Sequence, residues 1–174
     1  VGVVNGDASL NIPDFRSAER TYQLLNQVAG RAGRSKKTGK VIIQGFNVDH
    51  YSIRYAASHD YFAFYNEEMN IRKTLKYPPY CNITQIKISG KDYGKVSAEA
   101  NKITNYLKKL AVNGVTILGP SNSNVPKINN TFYMNIILKY KKTDVVFSGL
   151  DFIKNQYRDN RNINVDIYLN PNQI

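Results

Sequence analysis

The sequence has few cysteines, few acids and no long apolar run, and each shortage excludes a class of protein. Cys81 is the single cysteine, which excludes an internal disulfide and a zinc cluster built from cysteines of this chain. No run of about 18 apolar residues occurs, so no segment is predicted to span a membrane. The net charge of +11 predicts an anionic partner, most often nucleic acid; a basic surface that only keeps the protein soluble is the alternative.

The shortage of acids is uneven along the chain. None occurs between Glu19 and Asp49, a stretch that holds six basic residues: Arg20, Arg31, Arg34, Lys36, Lys37 and Lys40. Residues 81–174 carry 13 Lys and Arg against 6 Asp and Glu. The first residues, 1–4, read as the end of a strand, which indicates a piece of a longer protein.

The first half of the chain has the pattern of an α/β unit. Apolar spacings of three and four predict a helix that Asp14 caps and that ends near Gly30. A buried strand is predicted over residues 41–46, where β-branched residues are frequent. Two further helices are predicted, the second over residues 61–75, where Glu68 and Arg72 are spaced to pair on the surface. The segment Tyr-Pro-Pro-Tyr at 77–80 then predicts a domain boundary.

The second half alternates strands and helices in a regular order. Strands are predicted over residues 82–89, 115–118, 131–140 and 163–169, with helices over residues 93–111 and 144–157. Residues 121–130 have the composition of a loop. The order βαββαβ predicts a ferredoxin-like fold.

One short motif, QVAGRAGR, carries the chemistry of the first half. Gly30 and Gly33 allow close approach of the backbone to a ligand, and Arg31 and Arg34 present charged planar groups suited to phosphate oxygens. Gln27 lies one helical turn before Arg31 and is placed to hold a water or a phosphate. The alternative is a basic turn that touches nucleic acid or only water.

These residues resemble a known family. PDFRSAERTYQLLNQVAGRAGR followed by GKVIIQ is similar to the second motor lobe of superfamily-two helicases, with QVAGRAGR as their sixth motif. A closer resemblance, to the primosomal protein N′ (PriA) family of replication-restart helicases, is carried by three further stretches: DYFAFYNEEMNIRKTLKYPPY, VTILGPSNSNVPKINNTFYMNIILKY and NVDIYLNP.

The resemblance implies a fold and an activity. Residues 1–48 are expected to end a RecA-like second helicase lobe, 49–80 to form a helical connector, and 81–174 to form a C-terminal domain that binds branched DNA. Members of the family are ATP-dependent 3′–5′ DNA helicases that recognise stalled forks and initiate primosome assembly. The motif match makes Arg34 the first choice for an arginine finger and Arg31 the second, with Gln27, Gly30 and Gly33 beside the nucleotide. Asp7, Glu19 and Arg20 also match the family, and the last two are interpreted as structural.

Part of the family's equipment is missing from this sequence. It contains no GxxxxGK[ST] phosphate loop, no acidic metal-binding motif and no paired CxxC clusters. ATP, Mg²⁺ and zinc are therefore expected as cofactors of a longer parent protein, and the ligands of the zinc would lie outside this chain. This chain alone is expected to bind no metal and no cofactor, and to bind DNA without hydrolysing ATP. The alternative is a stand-alone basic nucleic-acid-binding module.

Candidate DNA contacts come from the second half. Six lysines are predicted to meet phosphates: Lys87, Lys91, Lys127, Lys139, Lys141 and Lys142. Tyr133 and Tyr140 are candidates for stacking on unpaired bases, with ordinary core packing as the alternative. The expected partners are branched and single-stranded DNA, single-strand-binding protein and primosome or helicase-loading proteins, in the cytoplasm and at the nucleoid.

Overall fold

The structure, a computed structural model, describes residues 1–32, 39–110, 114–142 and 144–171. The chain divides into two compact units, Val1–Leu75 (unit 1) and Lys76–Ile174 (unit 2).

Among its described residues, 1–32 and 39–75, unit 1 combines a small parallel sheet with three α-helices. Strand β1 pairs in parallel with β2, with Gly2 opposite Ile42 and Val3 opposite Ile43. The elements are β1 (Gly2–Val3), a 3₁₀ helix (Ala8–Asn11), α1 (Ser17–Ala32), β2 (Ile42–Ile43), α2 (Tyr51–Ala57) and α3 (Tyr61–Thr74). Strand, helix and parallel strand therefore follow one another as the sequence predicts.

The core of unit 1 lies where the three helices meet. Tyr22 and Leu25 of α1 are buried with Ile53 of α2 and Phe64 of α3. The rings of Tyr22 and Phe64 stack with their centroids 4.1 Å apart. This contact joins α1 to α3 through the apolar face that the spacing of α1 predicts.

One of two predictions about this unit agrees with the structure and the other is wrong. Helix α1 passes through Gly30 and extends to Ala32, within two residues of the predicted end, since a glycine lowers helix stability by only about 1 kcal/mol. The segment 41–46 is not a buried strand. Its paired part is two residues long and Ile42 is 62% exposed, because among the described residues this sheet has only two strands.

A buried ion network replaces the predicted surface pair. The Arg72 guanidinium donates to Glu68 at 2.6 Å and to Glu19 at 2.7 Å, and Glu68 also accepts from the hydroxyl of Tyr51 at 2.6 Å. Glu68 and Arg72 are buried. The helical spacing was correct, but spacing does not reveal which side of α3 faces α1 and α2, so the prediction of a surface location was wrong. Glu19 has the structural role that the sequence analysis gave it.

Unit 2 has the order βαββαβ. Its elements are β3 (Asn82–Gly90), α4 (Tyr93–Leu110), β4 (Thr116–Ile128), β5 (Thr131–Tyr140), α5 (Asp144–Tyr157) and β6 (Ile163–Leu169). The strands form one sheet in the order β4-β5-β3-β6, and every neighbouring pair is antiparallel. This arrangement matches the ferredoxin-like split βαβ fold that the sequence predicts.

Strand β4 differs from its prediction. The expected loop at 121–130 is mostly strand, and β4 continues to Ile128 with register shifts after Leu118 and after Asn122. Its residues have the composition of a loop because the strand is irregular and largely exposed, and bulged edge strands tolerate Pro, Gly and Asn. Composition therefore could not distinguish this strand from a loop.

The helices α4 and α5 pack on one face of the sheet. Alternate residues of β3 and β5, such as Ile86, Ile88 and Ile136, are fully buried against Val96 of α4 and Ile153 of α5. Because side chains alternate between the two faces of a strand, the intervening residues point to the opposite face. That second face carries the candidate site.

Candidate nucleic-acid interface

The sheet face opposite the helices is polar, basic and aromatic. We call it the open face and define it by seven residues of β3, β5 and β6: Gln85, Lys87, Tyr133, Asn135, Lys139, Asp166 and Tyr168. The antiparallel register aligns them in rows, with Lys87 between Asn135 on β5 and Asp166 on β6. A cation and aromatic rings on one open sheet are the features with which proteins hold single-stranded nucleic acid.

Two of the predicted DNA contacts meet near the centre of the open face. The Nζ atom of Lys87 lies 4.6 Å from the centroid of the Tyr133 ring. Both side chains are half-buried. The lysine is thereby held over the aromatic face, with its charge available to an anion.

A second basic group lies at one end of the sheet. The Nζ atom of Lys139 is 3.5 Å from the centroid of the Tyr77 ring, and Lys141 follows the end of β5. Burial raises the pKa of the Cys81 thiol, and the positive charges of Lys139, Lys141 and Lys76 oppose that rise. These lysines therefore surround Cys81, whose thiol donates to the carbonyl of Lys76. Lys142 is exposed and directly follows Lys141 at this end of the sheet.

The remaining two lysines lie at the opposite end of the sheet. Lys91 directly follows Gly90, which pairs with Phe132, and the Nζ atom of Lys127 lies 4.8 Å from the centroid of the Phe132 ring. Strand β3 is paired with β5 from Asn82 to Gly90, and these eight steps along the strand span about 27 Å at 3.4 Å per residue. The six predicted lysines therefore form no single cluster. Lys127 lies off the open face, because its register partner Phe132 packs against the core on the helix side of the sheet.

Tyr140 is not available to a ligand. It is 2% exposed, its hydroxyl lies 2.9 Å from the Thr84 hydroxyl, and its ring meets Phe147 edge-on. Its place on β5 puts it on the helix-covered face, because it is an even number of residues from Ile136. The candidacy of Tyr140 for base stacking was wrong.

A concavity of about 700 Å³ opens on the open face. Gln85, Lys87 and Asn135 of the two central strands line it together with residues of the two outer strands. The outer residues are Ser123 and Asn124 of β4, and Ile167, Tyr168, Leu169, Asn170 and Pro171 at the end of β6. Tyr168 is 45% exposed. The sequence analysis missed it, although the alternation of β6 contained the signal, since Ile163, Val165 and Ile167 face the core.

The described part of the arginine motif, residues 27–32, lies at the end of α1 in unit 1. Gln27, Gly30 and Arg31 are all exposed. Gly33 and Arg34 fall outside the described residues. Among the residues that the structure describes, nothing lies within 4 Å of a Cβ built on Gly30, so packing in this part of the chain does not require a glycine there. A helix-weakening residue without a packing reason is typical of a site that another surface approaches closely.

Gly39 is a residue of this region that the sequence analysis missed. A Cβ built on it would overlap the carbonyl oxygen of Ala32, so no side chain fits. Gly39 therefore lies directly against Ala32.

Two further family-matched residues have structural partners. Asp7 accepts backbone N–H groups of Asn47 and Phe46, each at 2.8 Å, and these bonds hold the pKa of Asp7 below its usual value against the opposing effect of burial. Arg20 pairs with Asp14 at 3.1 Å. Asp7 thus ties the turn after β1 to the turn after β2, and Arg20 ties α1 to the residues before it.

Within residues 1–32, 39–110, 114–142 and 144–171, no three His, Cys, Asp or Glu side chains come together as a metal site requires. In the same ranges, no helix has the length and apolar character needed to cross a bilayer.

Comparison with known proteins decides the family. The family model described as "Primosomal protein N C-terminal domain" matches residues 73–171. The chain belongs to the primosomal protein N (PriA) family. The protein named "Replication restart protein PriA" from Bacillus subtilis is 40% identical over an alignment that covers 98% of this chain. The protein of the same name from Borreliella burgdorferi is 32% identical over 97% of it. That of Synechocystis is 36% identical over 88% of it.

The match covers only part of each relative. The chain spans 22%, 25% and 18% of the lengths of these three proteins. Among solved structures, the de novo designed protein Foldit4 aligns with 53% of this chain and 99% of its own at a TM-score of 0.43 and 13% identity, a likeness too low to carry an argument. Membership of the family therefore rests on the sequence matches.

Proposed function

We propose that this chain is the C-terminal part of an ATP-dependent 3′–5′ DNA helicase that recognises stalled replication forks and initiates primosome assembly. In this proposal unit 2 binds branched and single-stranded DNA, and unit 1 supplies one wall of the ATP site. Two observations support this proposal together. The chain belongs to the primosomal protein N family, and unit 2 has a sheet with an open face that is basic and aromatic.

The open face supports DNA binding through complementary charge. Residues 81–174 carry 13 Lys and Arg against 6 Asp and Glu. Lys87 and Lys139 lie on the open face, and Lys91 and Lys141 directly follow the strands β3 and β5 at opposite ends of the sheet. Binding that neutralises phosphates releases counterions, so the affinity falls steeply with salt and depends little on sequence. Lys87 over Tyr133 combines this charge with an aromatic surface.

The end of α1 supports a role in ATP hydrolysis by a larger protein. The parallel strands β1 and β2 with α1 between them are the βαβ unit from which a RecA-like second lobe is built. Arg31 is exposed at the end of α1, and the motif continues to Arg34. An arginine at the γ-phosphate stabilises the charge of the phosphoryl-transfer transition state. We assign that role to Arg34 first and Arg31 second, with Gln27, Gly30 and Gly33 beside the nucleotide.

The same motif needs a second lobe to act. The sequence holds no phosphate loop and no acidic Mg²⁺ motif, so this chain offers Arg31 to ATP but lacks the main cradle. A zinc cluster built from cysteines does not fit this chain, since Cys81 is its one cysteine. The chain alone is therefore expected to bind DNA without hydrolysing ATP. Single-strand-binding protein and helicase-loading proteins are the proposed partners, in the cytoplasm at the nucleoid.

Salt dependence tests the DNA-binding half of the proposal. The 174-residue chain is titrated by fluorescence anisotropy with a labelled fork and a matched duplex at two salt concentrations. We expect binding of the fork at low salt and a steep loss at high salt. Lys87→Ala is expected to weaken binding of every sequence and to reduce the salt slope by about 1, because one phosphate contact is lost.

The matched control is Lys102→Ala. Lys102 lies on α4, its side chain is 70% exposed, and it pairs with Glu99 away from the open face. This variant is expected to bind DNA like the unmodified chain. Absence of any binding at low salt, or equal losses in the two variants, contradicts the assignment of the open face.

A further inference from the structure

The concavity on the open face is lined by aromatic and carboxamide side chains as well as by the charged Lys87. The central strands supply its floor through Gln85, Lys87 and Asn135, and Tyr168 stands at the β6 side. The outer strand β4 reaches it through Ser123 and Asn124, in the segment that follows the register shift after Asn122. The bulge of β4 thus supplies one side of the site.

Asn135 has an oxygen that lacks a partner. Its Oδ1 atom is buried and accepts no hydrogen bond from the part of the chain that the structure describes. A buried acceptor without a donor costs about 1–3 kcal/mol, so such an oxygen is typically satisfied by a water molecule or by a ligand that takes its place. The terminal torsion of an asparagine is soft, and a rotation of the carboxamide turns this oxygen toward the concavity that the residue lines.

Tyr168 supplies the apolar surface of the site. Its ring is 45% exposed at the edge of the concavity, and it lies opposite Gln85 in the register of β3 and β6. An exposed aromatic ring beside carboxamide groups fits a flat ligand that has both a π-face and an edge with hydrogen-bond donors and acceptors. Lys87, in the same floor, adds the positive charge that a phosphate-bearing ligand requires.

We propose that this concavity binds an unpaired nucleobase of single-stranded DNA, with the base stacked on Tyr168 and hydrogen-bonded by the carboxamide of Asn135. The inference rests on the proposed function and narrows it from DNA in general to an extruded or single-stranded nucleotide. A base within a duplex cannot occupy the site, because its faces are stacked and its pairing edge is used. Lys87 meets the phosphate next to the bound base.

The first test measures how much the bases of DNA add to the affinity that the sugar-phosphate backbone provides. The 174-residue chain is titrated with a single-stranded DNA 12-mer and with a 12-mer of the same backbone that carries abasic sites. We expect the 12-mer with bases to bind about tenfold more tightly, since one stacked base contributes a factor of that order. Tyr168→Ala is expected to remove this difference and to leave the affinity for the abasic 12-mer unchanged.

A second variant keeps the proposal testable if Tyr168→Ala fails to fold. The sequence has no tryptophan, so Tyr168→Trp keeps a stacking surface and introduces a single indole. Its fluorescence is expected to be quenched by the 12-mer with bases and to change little with the abasic 12-mer. The matched control is Phe152→Trp, at a position that is 51% exposed on α5 in the helix layer; its fluorescence is expected to stay constant.

The outcomes distinguish this inference from the proposed function. Equal affinities for the two 12-mers, or equal quenching at the two tryptophan positions, overturn the base site while DNA binding by the chain stands. Failure of both 12-mers and of the fork to bind overturns the proposed function itself. Tighter binding of an RNA 12-mer than of the DNA 12-mer overturns the assignment to DNA.

Discussion

Arg34→Ala in the full-length parent protein is expected to lower DNA-stimulated ATP hydrolysis by about 1,000-fold or more, because an arginine finger contributes a factor of that size to phosphoryl transfer. DNA binding is expected to stay unchanged, since the contacts proposed for DNA lie on the open face of unit 2. The measurement is the steady-state rate of phosphate release with saturating single-stranded DNA, beside anisotropy titrations of the same variant.

Two further variants show whether the effect belongs to the motif. Arg54→Ala removes an exposed arginine of α2, outside the motif, and is expected to hydrolyse ATP like the unmodified protein. Arg31→Ala tests the second choice for the arginine finger. A rate within about twofold of the unmodified protein for Arg34→Ala would show that the assignment is wrong, since loss of such a group costs far more. The chain would then be better described as a basic nucleic-acid-binding module.

Arg72→Ala is expected to have the largest effect on stability. The guanidinium is the centre of a network with Glu68 at 2.6 Å and Glu19 at 2.7 Å, and its side chain is 10% exposed. Burial lowers the pKa of Arg72, but hydrogen bonds to Glu19 and Glu68 outweigh burial and raise that pKa above its usual value. Removal leaves the Glu68 carboxylate buried without its counter-ion, and the expected loss is about 3–5 kcal/mol in the free energy of unfolding of unit 1.

Hydrogen exchange at the amides of α1 and α3 measures this loss in unit 1 directly. Glu19→Ala is expected to cost far less, about 1 kcal/mol or below, because the Glu19 side chain is 37% exposed and water replaces part of the interaction. The double variant Glu68→Gln with Arg72→Met removes both charges and is expected to lose less than Arg72→Ala alone. If the double variant is the less stable of the two, the cost of the unpaired carboxylate is not the cause.

The order of elements in unit 2 was predictable from the sequence. Alternating apolar residues in β3 and β6 and helical spacing in α4 and α5 are local signals, and each reflects one buried face per element. They predicted the order βαββαβ and a ferredoxin-like fold, and the structure has that order in an antiparallel four-stranded sheet. The strand β4 was only partly predicted, because its bulges break the alternation on which the prediction depends.

The position of single side chains was less predictable. Tyr133 and Tyr140 are both tyrosines of β5 in a basic region, yet the register puts one beside Lys87 on the open face and buries the other against Thr84. Glu68 and Arg72 are spaced for a surface pair, but α3 turns them inward against α1. The alternation of β5 gives the face of each tyrosine once one buried residue such as Ile136 is known. Which side of α3 packs against α1 is set by tertiary packing, and the spacing of Glu68 and Arg72 does not encode it.

The sequence by itself determined the excess of positive charge, the order of the elements and the arginine motif with its family resemblance. Each of these is a property of composition or of residues close together in the chain. The tertiary structure alone decided that Asn135, Gln85 and Tyr168 line one concavity and that Arg72 reaches Glu19 from 53 residues away. Such juxtapositions depend on strand register and helix packing, which are set by the whole core at once and leave no mark in any one segment.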